Sequence, residues 1–223
     1  MNKVNQKQKK IIFAYVVYKW MSKKKIMWLQ PHVNERFYFR MSVNSFDELV
    51  VKLEDGIKSE NTKLRVAITP AEMLAITLRY LGSGCNLVDL HYAYRVGRST
   101  TNMIVRKVCK TISNTLKDEC IPLPTEEMWL NIADRFLQKE NFPNRIGALD
   151  GKHIRILKSA LGGCLYLNNK YYYSIVLLGV AYYNYRLIYI DVGFFGKESD
   201  STVFIRSTIW DRIITNTINI PQS

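Results

Sequence analysis

Apolar positions along this chain recur at helical spacing up to about residue 140 and at strand spacing beyond it. Ser45 with Glu48 has capping-box spacing, and Phe46, Leu49, Val50 and Leu53 then share one face, within a helical entry from Trp28 to Glu54. Thr69, Pro70 and Glu72 start a second helix whose buried stripe is Met73, Leu74, Leu78 and Leu81, and Gly82-Ser83-Gly84 ends it. Asn86 caps a short helix carrying Leu87, Leu90 and Tyr94, and Gly97 ends that one. Ser99 caps the next, which buries Ile104, Val105, Val108, Ile112 and Leu116. Pro122 and Pro124 break the chain. Thr125 then caps a helix with Trp129, Ile132, Ala133, Phe136 and Leu137 inward, and Glu126 and Glu127 favour its positive end.

Asn141 to Asn144 forms the turn out of that helix. The period then changes. A short apolar strand delivers Asp150 to its exposed end, and Gly151 lets the backbone leave sharply. Tyr173–Tyr182 and Arg186–Val192 read as two strands joined by a short hairpin. Gly193-Phe194-Phe195-Gly196 reads as a turn, and Ser199 or Asp200 as the cap of a helix through Val203, Phe204 and Ile205.

Three helices joined by short turns fit either a helix-turn-helix or a plain three-helix bundle with a basic outer face. In the first case the last helix offers Arg98, Thr101, Asn102, Arg106 and Lys107 to a DNA groove. Asp150 has two readings as well. It caps a turn at a strand end, or it is one oxygen ligand of a divalent cation whose other ligands come from elsewhere in the chain.

Composition narrows the classes. With 223 residues, 48% of them hydrophobic, the chain is long enough for one or two domains with a core and too apolar for global disorder. A net charge of +13 favours an acidic partner such as nucleic acid. Cys85, Cys109, Cys120 and Cys164 include no Cys-x-x-Cys pair, and His32, His91 and His153 lie far from them, which argues against a zinc site and a disulfide framework. Free thiols in a reducing compartment are expected. The run Ile11–Tyr18 is too short to span a bilayer, so no membrane partner is expected beyond surface contact. Lys23-Lys24-Lys25 belongs to a basic arm suited to phosphates, to part of a nuclear address or to plain solvation.

The order of motifs resembles the PIF/Harbinger transposases and the nuclease-like proteins derived from them, over roughly Trp28 to Trp210. The matching stretches are Phe39-Arg40-Met41-Ser42 with Phe46-Asp47-Glu48-Leu49, Ile68-Thr69-Pro70-Ala71-Glu72 with Leu78-Arg79-Tyr80-Leu81, and Gly97-Arg98-Ser99-Thr100. Trp129, Phe136, Asn141-Phe142-Pro143, Ile146-Gly147-Ala148-Leu149-Asp150-Gly151, Tyr173–Leu178 and Ser199-Asp200-Ser201 follow in the same order. The resemblance implies an α+β chain. Residues 1–36 form a basic arm, residues 37–140 a helical domain with a helix-turn-helix, and residues 141–223 an incomplete RNase H-like DDE nuclease core. It further implies metal-dependent DNA cleavage with Mg²⁺ or Mn²⁺ held by Asp150 and Asp200, with Asp191 and Glu198 as rival carboxylates for the second position. A nuclear location is implied, and a separate Myb-like protein as a partner. The family's third acid lies downstream of the second, so this chain is expected to be a fragment or a decayed copy. The alternative is a DNA-binding remnant without catalysis.

Overall fold

The computed structural model describes residues 41–61, 66–158 and 163–221, together with residue 11. The basic arm, the run from Ile12 to Tyr18 and the Trp28–Arg40 stretch lie outside the described residues. Among the described residues the chain is mixed α+β, with nine helices and one three-stranded antiparallel sheet. It divides into two compact units between Cys120 and Ile121.

The helical unit contains α1 (Val43–Ile57), α2 (Pro70–Ser83), α3 (Leu87–Tyr94), α4 (Arg98–Thr115) and α5 (Lys117–Cys120). Its caps explain its boundaries. Thr69 and Glu72 form a reciprocal capping box with Pro70 in the first turn, and Gly84, at φ 67°, closes α2 in the left-handed region that glycine adopts without strain. Asn86 and Asp89 form a second capping box for α3. Two expected caps sit elsewhere. Ser42, not Ser45, caps α1 and accepts from the Ser45 N–H at 3.2 Å. Gly97, not Ser99, is the N-cap of α4, because Arg95 at φ 51° already ends α3. The core is Leu49, Leu53, Leu74, Leu78, Leu90, Val108 and Ile112 with their neighbours. Gly56 permits close approach of α1 to α4, since a Cβ there would lie 2.5 Å from Thr111 Cγ2.

The sheet unit begins with α6 (Glu126–Glu140), capped by Thr125 and closed by Asn141 at φ 51°. This helix belongs with the sheet, so the division falls some twenty residues before the expected one at residue 140. The reason is its inner face. Trp129, Ile132 and Phe136 are buried in one cluster with Val176, Leu178, Val180, Val203, Ile209 and Ile218. The Trp129 indole N–H also donates to the Ile218 carbonyl at 2.9 Å. Strand β1 (Ala148–Arg155) pairs with β2 (Ser174–Ala181), which pairs with β3 (Leu187–Phe195). The short α7 (Gly163–Tyr166) precedes β2, and α8 (Asp200–Ile205) and α9 (Thr208–Ile214) follow β3. β2, the central strand, is buried along nearly its whole length.

The expected turn at 193–196 starts later. β3 runs on to Phe195, and Gly193 at φ 118° falls where the pairing with β2 slips between Val176 and Leu177. It is a bulge residue, and glycine tolerates that angle.

Candidate metal and nucleic-acid site

Register assigns the faces of β1. Leu149, Gly151 and His153 pair with Val180, Leu178 and Val176, the β2 residues of the core cluster. These three therefore share the face on which α8 contributes Val203. Asp150, Lys152 and Ile154 alternate to the other face.

Gly151 departs from expectation. It lies inside the strand, and the backbone does not leave there. Its missing side chain matters instead, because a Cβ at Gly151 would lie 2.9 Å from the Asp200 carboxyl carbon and 3.5 Å from Val176 Cγ1. The Asp200 carboxylate thus fills the space that any other residue at 151 would occupy. Ser199 holds it there by capping α8 through a 3.3 Å bond from the Thr202 N–H, which makes Asp200 the first helical residue.

The structure brings Asp200 to the strand residue next to Asp150, but not to Asp150's own face. The two carboxylates stand on either side of the β1 backbone, one residue apart, with no side chain at Gly151 between them. β1 has no second neighbour among the described residues, so its outer edge is open at this point. Both aspartates are exposed.

The rival carboxylates have structural work. Glu198 accepts from the Phe195 N–H at 2.8 Å and pairs with Arg206. Asp191 accepts from the Tyr189 hydroxyl at 3.2 Å and from the Thr208 N–H at 3.3 Å at the start of α9. Burial, aided by Asp191, pushes the Tyr189 phenol up to about 12.

A hard-cation site needs oxygen donors, and Mg²⁺ is commonly held by one or two carboxylates with water and substrate phosphate completing the shell. Asp150 and Asp200 offer that number of carboxylates, from opposite faces of β1. Among the described residues no group of three or more His, Cys, Asp or Glu gathers to hold a metal. His153 is engaged on its Nδ1 side, 3.0 Å from Ser174 Oγ, which also accepts from Asn168 Nδ2 at 3.2 Å.

The five DNA-contact candidates on α4 separate. Arg98 and Arg106 are exposed, and Arg106 Nε donates to Asn102 Oδ1 at 3.0 Å. Thr101 is 0% exposed, its hydroxyl directed at the Val96 and Gly97 carbonyls, so it cannot meet a groove. Lys107 Nζ donates to the Ile57 carbonyl at 2.7 Å, the Lys58 carbonyl at 2.9 Å and Ser59 Oγ at 3.3 Å. It closes the C-terminal end of α1, where unpaired carbonyls favour a cation.

All four cysteines are free thiols, and burial pushes Cys109 up to about 12. No described helix is long and apolar enough to cross a membrane. No family model, curated protein or solved structure matches the chain significantly.

Proposed function

We propose that the sheet unit is an RNase H-like core of the PIF/Harbinger type that cleaves DNA phosphodiesters with Mg²⁺ or Mn²⁺ held by Asp150 and Asp200. The observation that carries this reading is the Asp200 carboxylate seated in the space left by Gly151, the strand residue next to Asp150 on the open edge of the sheet. A divalent ion held there would supply Lewis-acid polarisation of a phosphate and a more acidic bound water. The chain's own residues hold and orient. Asp150 and Asp200 supply hard oxygens from two directions, and Ser199 fixes the α8 end that presents Asp200. The helical unit then serves as a helix-turn-helix, with α4 reading DNA through Arg98 and Arg106 and Asn102 orienting Arg106. Its short inter-helix turns and the net charge of +13 support this. A nuclear location and a Myb-like partner belong to the same proposal.

A second reading, DNA binding without cleavage, draws on the lack of a third acidic ligand among the described residues. A nuclease assay with Mg²⁺ or Mn²⁺ separates the two. The first reading requires cleavage that disappears in Asp150→Ala while DNA binding persists. The second requires salt-sensitive binding and no cleavage from the native chain.

A further inference from the structure

From Gly151 to Ile190 the chain carries no Asp or Glu, while Lys152, Arg155, Lys158, Lys170 and Arg186 all fall in that stretch. Within it, residues 167–173 form a tight loop closed by the Leu167–Tyr173 bridge. Asn168, 5% exposed, is the hub of that loop. Its Oδ1 accepts from the Lys170 N–H at 3.0 Å and the Tyr172 N–H at 3.2 Å, and its carbonyl accepts from the Tyr171 N–H at 3.0 Å. Its Nδ2 reaches Ser174, the residue that holds His153.

This frame holds Tyr171 at φ 59°, a region that bulky residues rarely occupy, with the residue 89% exposed. Apolar surface is left in water and the backbone is held in an unfavourable well. The neighbouring rings are already partnered. The Arg155 guanidinium lies over Tyr172 at 4.6 Å and the Lys158 ammonium over Tyr173 at 5.9 Å. The exposed Tyr171 ring thus stands next in sequence to Lys170 and to the cation-covered rings of Tyr172 and Tyr173, in a stretch that holds five cations and no carboxylate.

We propose that this loop is a stacking platform for an unpaired base of a single-stranded nucleic acid, with Tyr171 under the base and Arg155, Lys158 and Lys170 on the flanking phosphates. Aromatic faces bind single strands because every unpaired base offers a π-face, whereas a duplex keeps its bases stacked on one another. Arg155 is five residues along β1 from Asp150, on the order of 17 Å at strand rise, so a strand held here extends toward the aspartates within a few nucleotides. The inference rests on the nucleic-acid reading above and names the strand form of that site's substrate.

The test is fluorescence anisotropy with a labelled oligothymidylate and a labelled duplex, in EDTA so that nothing is cut. Tyr171→Ala weakens single-strand binding roughly 5- to 150-fold and leaves duplex binding in place, and Tyr171→Trp restores it. Tyr171→Gly, which relieves the positive φ, shows the same loss while melting no lower than the native protein, so misfolding cannot account for it. Equal single-strand affinity in Tyr171→Ala and the native chain overturns the platform, even where Mg²⁺-dependent cleavage is intact. Failure of the native chain to bind either oligonucleotide overturns the platform and the nuclease reading together.

Discussion

Lys107 in the helical unit and Asp200 in the sheet unit each carry a charge to a distant part of the sequence, with opposite results. Lys107 lands on the last carbonyls of α1 and becomes part of the fold. Asp200 lands against a glycine that offers it nothing, and among the described residues it gains no hydrogen bond or ion pair. The contrast runs through both units. Thr101 closes on local carbonyls, while the exposed Tyr171 is held against its backbone preference. A charged residue in a suggestive place is evidence of function only after the fold's own demands have been met.

The largest effects that separate the units come from their cores. Trp129→Ala removes a buried indole and its bond to Ile218, and is expected to destabilise the sheet unit by about 3–5 kcal/mol. Leu74→Ala in the helical unit is expected to cost about 2–5 kcal/mol. Denaturant unfolding read by far-ultraviolet circular dichroism measures both. Gly151→Ala comes next. Its new methyl meets the Asp200 carboxylate and forces a shift of about 1–3 kcal/mol, and the variant loses Mn²⁺ affinity, whereas Gly84→Ala costs about 1 kcal/mol through its positive φ and leaves Mn²⁺ affinity alone.

Lys107→Met sharpens the contrast within α4. It is expected to lower stability by about 1–2 kcal/mol, with no change in DNA affinity. Arg106→Ala should do the reverse, leaving the melting temperature in place and reducing the salt dependence of binding by about 0.9 in the log–log slope. The smallest effect at neutral pH concerns Cys109. Burial pushes its thiol up to about 12 in the fold from the ordinary 9.0, so the unfolded chain loses that proton first as pH rises. Stability is unaffected below pH 9.0 and declines from there toward about 12, a fall that Cys109→Ala lacks once its cavity cost is subtracted.

Helix boundaries were the most legible part of the sequence, because caps are local. Thr69, Asn86 and Thr125 each bond the N–H groups that their spacing implies. The β2–β3 hairpin was legible from its strand period. Ser99 misled because a glycine two residues earlier opens the helix with no side-chain cap. The unit boundary was illegible because α6 has the period of any amphipathic helix, and period does not say which partner receives the face. The role of Gly151 was hidden for the same reason. A glycine after a strand aspartate suggests a turn, and only the return of α8 from residue 200 shows that it makes room. The part Asn168 plays was illegible, because a buried side chain that ties a loop together has no period to announce it.

The central claim is that two carboxylates flanking one strand glycine hold a divalent ion. Isothermal titration with Mn²⁺ on the native chain, Asp150→Asn, Asp200→Asn and the double variant tests it most directly. The account predicts binding to the native chain that weakens at least tenfold in either single variant and is gone in the double one. An unchanged Mn²⁺ isotherm in the double variant would contradict it.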